Sequence, residues 1–380
     1  MRIPKYRFFI LVAFLGASLF FVFQMGFLRG KAPRLPSSRG FELLDTLISL
    51  IKNDYLEERE PAQTTDGALR GLVNSLDPLS AYLDPELAGK YSLLKDSDFH
   101  TGLIVFKKYG SFPLIVGIIE GSPASSSALK PGDIISAVNG RNTLVMSLTE
   151  VELVLKATED SPARLKILRG NDTFETSLAA KKLGGGGYQF LHRPGKSAYL
   201  RLQRFTPNLV SKLKKEIVPL LDLKRDYLVI DLRNTVEDEY QSACEFLNLF
   251  IKSPSIGYFL RRNGEKKNLT CEDDSPLVSV ETVIWVNGGT IGAAEMTAAV
   301  LQELKGAKVI GFKTPGLSAE RYLYPLENGA ALLLSVGAFN LNSGKSLWGD
   351  GVKPDVALKP EETTDNTYWE KTLPLFPANR

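Results

Sequence analysis

Two hydroxyls and one amine cluster around a single glycine-rich turn in this 380-residue chain. Thr290 lies inside the turn Asn287–Gly292, Ser318 in the loop after the next strand, and Lys313 between them. A hydroxyl that can pass its proton to a nearby amine becomes a nucleophile for acyl transfer, provided burial lowers the pKa of the amine. Thr290 with Lys313 is therefore one candidate pair. The plainer alternative is a turn hydroxyl and a surface lysine. The elements around them suit such chemistry. Val283–Val286 reads as a buried strand, and the residues after the turn read as a helix closed by Gly306. Ala307–Gly311 reads as a second strand, leading into a loop through Pro315–Gly316. A strand, a turn of small residues and a helix N-terminus present backbone N–H groups at one spot, a setting for an oxyanion or a phosphate.

Other chemistries find little support. The only histidines are His100 and His192, neither near another ligand type at metal-binding spacing. No zinc site, His-based triad or cofactor is expected. Cys244 falls on an apolar helical pattern and reads as core; pairing with Cys271 is left open, since spacing alone does not decide it. A formal charge of +3 gives no reason to expect nucleic acid as a partner.

At the N-terminus, Arg2, Lys5 and Arg7 precede an apolar run from Phe8 to Leu28 that only Gln24 interrupts, 21 residues in all. At 1.5 Å per residue this crosses a bilayer core of about 30 Å. No small-x-small cleavage site follows the run, so a signal anchor (residues 1–30) is expected, with the body outside the cytoplasm. Residues 31–98 begin as a basic Pro/Ser linker and continue as a helical region, with stripes over Phe41–Tyr55 and Asp66–Leu76. Residues 99–182 change to short strands: Leu103–Phe106, Leu114–Ile119, Ile134–Val138 and Leu165–Leu168. A capping box, Ser147 to Glu150, starts their one helix. Four glycines, Gly184–Gly187, mark a hinge. Residues 183–360 alternate strands and helices, an α/β core. Residues 361–380 read as a polar, loosely held tail.

The run GSPASSSALKPGDIISAVNG resembles PDZ domains of the bacterial type, departing at Ala128, where the family has glycine. The resemblance implies that Thr101, Gly102, Leu103 and Ile104 offer backbone N–H groups to a peptide carboxylate. The peptide would lie as an added strand against Leu148, Val151 and Leu155 of the helix. The wider order is LDPLSAYLDP, the PDZ-like module, LVIDLRN, VNGG…AAE and GDGVKPDV. It resembles the carboxyl-terminal processing (tail-specific) serine peptidases, which use a Ser–Lys dyad on a crotonase-like (ClpP/crotonase-type) core. The implied fold is that α/β core with an inserted, mainly-β PDZ domain and an N-terminal transmembrane helix. The implied place is the bacterial periplasm.

The resemblance fails where chemistry would occur. Its nucleophile falls on Gly292, its lysine on Leu317 and its following glutamine on Arg321. Its Asn-Pro-Gly-Gly turn is replaced by Asn234-Thr235-Val236-Glu237-Asp238. Glycine is no nucleophile and leucine no base. The expectation is a membrane-anchored pseudopeptidase, held by residues 8–28, that binds protein C-termini through its PDZ groove or partners an active relative. The alternative is an active endopeptidase with a relocated dyad.

Overall fold

The computed structural model describes residues 39–57, 61–94, 99–156, 161–182, 187–193, 197–221, 227–253, 255–271 and 276–376. The expected anchor at 8–28, the linker before residue 39 and Gly184–Gly186 of the glycine run lie outside these. Among the described residues, no helix is long and apolar enough to cross a membrane. The chain divides into two units, residues 1–67 and 68–380. In the first, the helix Arg39–Asp54 carries the expected apolar stripe, with Leu43 and Leu47 about half exposed.

The second unit is built on a six-stranded sheet. Its order is Tyr188–Arg193, Ser197–Leu202, Tyr227–Asp231, Glu281–Val286, Lys308–Gly311 and Val356–Ala357. The first pair is antiparallel and every later pair parallel. Both faces are covered, and the period-two alternation of the strands decides which residue meets which layer. Leu228, Ile230, Ile284, Val286 and Val309 pack with the helices Tyr240–Leu247 and Ala293–Leu304. Val229, Val283, Trp285 and Ile310 pack on the opposite face with Tyr368.

Tyr368 belongs to the segment expected to be a loose tail, and here the expectation is corrected. Asp365–Thr372 is a helix capped by Thr364. Tyr368 Oη donates to the Val286 carbonyl at 2.9 Å, and Trp285 Nε1 donates to Thr372 Oγ1 at 2.8 Å. Arg233 lies across both rings, 4.8 Å from Trp285 and 4.4 Å from Tyr368, and pairs with Asp231 and Asp365. Cys244 and Cys271 are joined as a disulfide, their α-carbons 5.6 Å apart. The last strand is shorter than expected, Val356–Ala357, because residues 352–355 run as a loop whose Val352 N–H bonds Thr314 Oγ1.

The module at 99–182 is an antiparallel sheet ordered Leu103–Phe106, Leu114–Ile118, Ile134–Val138, Ala163–Arg169, Asp172–Leu178. Leu103–Phe106 is its edge strand. The helix Leu148–Leu155 begins at the expected capping box, in which Ser147 Oγ accepts from Glu150 N and Glu150 Oε2 accepts from Ser147 N. Asp77 organises the preceding turn, accepting from the N–H groups of Leu79 and Ser80 at 2.8 Å each. A further sheet escaped the sequence reading: Gly257–Arg261, Lys266–Leu269 and Ala319–Pro325 join Ala331–Asn340 and Ala81–Leu83.

Candidate functional site

Gly292 ends the short strand Ile291–Gly292 and caps the helix Ala293–Leu304 with φ 70° and ψ −121°. Side chains rarely adopt that backbone, and space excludes one as well. A β-carbon at Gly292 would stand 2.2 Å from the Glu237 carbonyl oxygen. The cause is the parallel pairing of Val236–Glu237 with Ile291–Gly292, supported by Ile291 N donating to Thr235 O at 2.9 Å. The segment after Asn234 has thus become a short strand laid against Gly292.

Four of the backbone donors expected to be open here are occupied. Gly289 N donates to Asn287 Oδ1 at 3.0 Å, Thr290 N to Asn287 O at 3.0 Å, and Ile291 N to Thr235 O. Gly292 N donates to Glu295 Oε2 at 3.2 Å. An oxyanion would find none of these four free, which corrects the first expectation for this turn. Thr290 is fully buried; its hydroxyl donates to Leu232 O at 2.8 Å and accepts from Asn287 N at 3.0 Å. Lys313 is exposed. The structure thus does not join Thr290 and Lys313 into a dyad, because the threonine's proton is committed to a main-chain carbonyl.

Glu295, the glutamate that ends the VNGG…AAE run, is the centre of the site. Fully buried, its carboxylate accepts from Gly316 N at 2.6 Å and Leu317 N at 2.7 Å as well as from Gly292 N. Ser318 Oγ reaches both Glu295 Oε2, at 3.2 Å, and the Gly292 carbonyl, at 2.9 Å. Burial pushes the Glu295 pKa up, while the Thr314 side chain and the N–H groups of Gly316, Leu317 and Gly292 pull it back. One carboxylate thereby fastens the Gly292 turn to the Leu317 loop. No pattern within either segment announces this, because the donors lie some twenty residues downstream of the acceptor.

Leu317 is 5% exposed and shares one apolar cluster with Ile291, Ala319 and Leu79 and with Leu103, Ile104, Leu148, Val151 and Leu155 of the module. Where an amine would need a polar neighbour, the surroundings are hydrocarbon. Arg321 forms an ion pair with Asp238, and Tyr240 Oη donates to Ala319 O at 3.2 Å. The Glu237 carboxyl is pushed up to about 8 by burial, against the pull of Arg204 at 3.3 Å. Asn234, at a φ of 59°, donates through Nδ2 to Ile118 O of the module at 3.1 Å. It lies so close to the module that a β-carbon on Gly117 would meet Asn234 Oδ1 at 2.1 Å.

The expected peptide-binding residues do come together. Thr101–Ile104 lead into the edge strand, and Leu148, Val151 and Leu155 face it from the helix. They are not an open groove, however. Thr101 and Val151 are fully buried, Leu155 and Leu103 are 2% and 3% exposed, and Ile104 and Leu148 5%. Gly102, with φ 91°, stands where a β-carbon would strike the Ser122 side chain. The lining packs upon itself, so a peptide must part helix from strand to enter. His100, set aside in the sequence as an isolated histidine, sits at the mouth: Gly102 N donates to its Nδ1 at 2.8 Å. Its position two residues before the glycine was the available signal.

A mostly parallel α/β core, a docked module with a six-stranded sheet and a helix over its edge, and a strand–turn–helix site together define a peptidase-type domain bearing a peptide-binding domain. Residues 196–358 match peptidase family S41, and residues 114–169 match the PDZ domain. The chain is thus similar to the carboxyl-terminal processing peptidases with a PDZ domain. It is 27% identical over 377 residues to the carboxy-terminal processing protease CtpA of Bacillus subtilis (strain 168), covering 96% of this chain and 80% of that one. It is 23% identical over 318 residues to a probable CtpA-like serine protease of Staphylococcus aureus (strain N315), covering 83% of this chain and 64% of that protein, slightly under two thirds. Among solved structures, the photosystem II D1 C-terminal processing protease has the same fold, with a TM-score of 0.70 at 21% identity over 89% of this chain and 91% of that one.

Proposed function

We propose that this chain is a non-catalytic member of its family that captures protein C-termini through its PDZ domain. One observation carries the reading: Gly292 and Leu317, at the family's nucleophile and base positions, are enclosed by the Glu237 carbonyl and by an apolar cluster. Catalysis by a Ser–Lys pair needs a hydroxyl and an amine in contact, and both are gone. The PDZ assignment supports peptide binding in general, and the buried Thr101–Ile104 loop is the part of this chain suited to a carboxylate. The apolar run at residues 8–28 supports a single signal anchor, with the body in a bacterial periplasm. The partner is a protein C-terminus or an active relative that the chain scaffolds. The peptidase core is of the crotonase type in this reading.

Two measurements test it. The detergent-solubilised chain is incubated with an unfolded protein substrate and with a fluorophosphonate probe; neither turnover nor labelling is expected. Turnover that survives purification and disappears in Thr290→Ala would overturn the non-catalytic assignment. Peptides ending in Leu, Val or Ala are expected to bind with micromolar affinity. Silence across a library of C-terminal peptides would remove the PDZ part.

A further inference from the structure

The mouth of the peptide site holds a donor already taken, a donor left over and a ring set to exchange. The Gly102 N–H, the central donor of the loop, is bound by His100 Nδ1 at 2.8 Å. A ring nitrogen that accepts a hydrogen bond carries no proton, so the imidazole here is neutral with its hydrogen on Nε2. One residue before Gly102 in the chain, the Thr101 hydroxyl is fully buried and has no hydrogen-bond partner. Buried polar groups are nearly always satisfied, and an orphan one residue from a taken donor marks a place where a ligand oxygen belongs. The charged groups facing the ring are cationic. Lys156 caps the C-terminus of the helix Leu148–Leu155, and Arg204 reaches in from the core while also bonding Glu237. Lys181 stands opposite His100 across a two-residue strand pairing.

We propose that the C-terminal carboxylate of an incoming peptide displaces the His100 imidazole from the Gly102 N–H, and that the displaced ring takes up a proton from solvent. This rests on the peptide-binding reading above and adds its regulation. The carboxylate accepts the Gly102 N–H and the Thr101 hydroxyl. The imidazole loses its donor and would turn a lone pair toward an anion unless it were protonated. Protonated, it becomes a third donor and a counter-charge. Lys156 and Arg204 act in both states: they keep the free ring neutral and draw the carboxylate in. In the free chain, burial and these two cations hold the His100 pKa down at about 4. A bound carboxylate beside the ring reverses the electrostatic part of that shift.

The consequence is an affinity that rises as pH falls. Between the bound-state pKa and about 4, each pH unit lowered tightens binding up to tenfold, with uptake approaching one proton. The test uses the full chain and a carboxyl-ended peptide with its amide-ended twin. Calorimetry near pH 5.5 in buffers of different ionisation heat counts protons taken up. Ring-nitrogen NMR follows His100, which is simple to assign in a chain with only two histidines. Expected are uptake with the carboxyl-ended peptide alone, a His100 pKa raised by more than one unit on binding, and loss of the pH dependence in His100→Gln. Binding without proton uptake, or an unmoved His100 resonance at saturation, overturns the latch and leaves peptide capture standing. No binding by any carboxyl-ended peptide at any pH removes both. The NMR arm needs no variant, so a misfolded His100→Gln does not decide the matter.

Discussion

The Glu237 carbonyl oxygen lies 2.2 Å from where a β-carbon on Gly292 would stand. The space that a side chain at position 292 would need is therefore filled by main chain, and main chain cannot step aside as a flexible side chain can.

Installing a Ser–Lys pair at positions 292 and 317 is expected to give no activity for this reason. Gly292→Ser with Leu317→Lys should show no turnover of an unfolded substrate and no fluorophosphonate labelling. Gly292→Ala alone should lower stability by about 1–3 kcal/mol, from strain at positive φ and the contact with Glu237. Urea unfolding reads the second, and unchanged stability in Gly292→Ala would show that the Val236–Glu237 strand is not fixed where it lies.

Leu317 now behaves as a core residue. Leu317→Ala should cost about 2–4 kcal/mol through lost burial and a cavity. Because the cluster runs into the PDZ domain, the same variant should increase hydrogen exchange in Leu103–Phe106 and Leu148–Leu155. A loss confined to the peptidase domain would contradict the shared cluster.

Two buried groups give opposite pH slopes. His100, with a folded-state pKa of about 4 against 6.5 unfolded, lets the unfolded chain bind the proton first, so stability is lost as pH falls from 6.5 toward 4. The loss is at most about 3 kcal/mol at 1.36 kcal/mol per unit. Glu237, with a folded-state pKa of about 8 against 4.5, keeps in the folded chain a proton the unfolded chain has released. Its stabilisation therefore fades as pH rises from about 4.5 to 8. Urea midpoints at pH 4.5, 6.5 and 8 should show His100→Gln flattening the acid side and Glu237→Gln flattening the alkaline side. Identical curves for variants and parent would exclude both assignments.

The Cys244–Cys271 bond closes a loop of 27 residues. By chain entropy it stabilises by about 3–4 kcal/mol. Reduction, or Cys244→Ala with Cys271→Ala, should lower the melting temperature by several degrees while the chain still folds, read by circular dichroism. An unchanged melting temperature on reduction would mean that the bond does not form.

Much of this was legible in the sequence, and the rest was hidden for definite reasons. Val283–Val286 was visible as a strand because it is apolar on both faces, as a parallel sheet covered on each side requires. The strand–turn–helix frame around Gly292 was visible because an apolar run, a glycine-rich turn and a helical pattern follow one another there. The helix Asp365–Thr372 was not, since its sequence is mostly polar and its docking depends on Tyr368 and Thr372 meeting Trp285 and Val286, more than eighty residues away. The Glu295 bonds and the closed groove escaped for the same reason. Both arise where remote segments meet, and local periodicity carries no information about such meetings.

The closed groove also sets a threshold. Since its lining packs as one cluster with Leu317, a tail must supply the free energy of parting helix from strand before any of its contacts count. Each tenfold preference for the shut form weakens every apparent Kd tenfold. Brief, poorly matched tails fall below that bar, and only ends that fill the groove completely register. Leu317, packed in the same cluster as the groove lining, thereby ties the threshold for admitting an end to the packing of the α/β core.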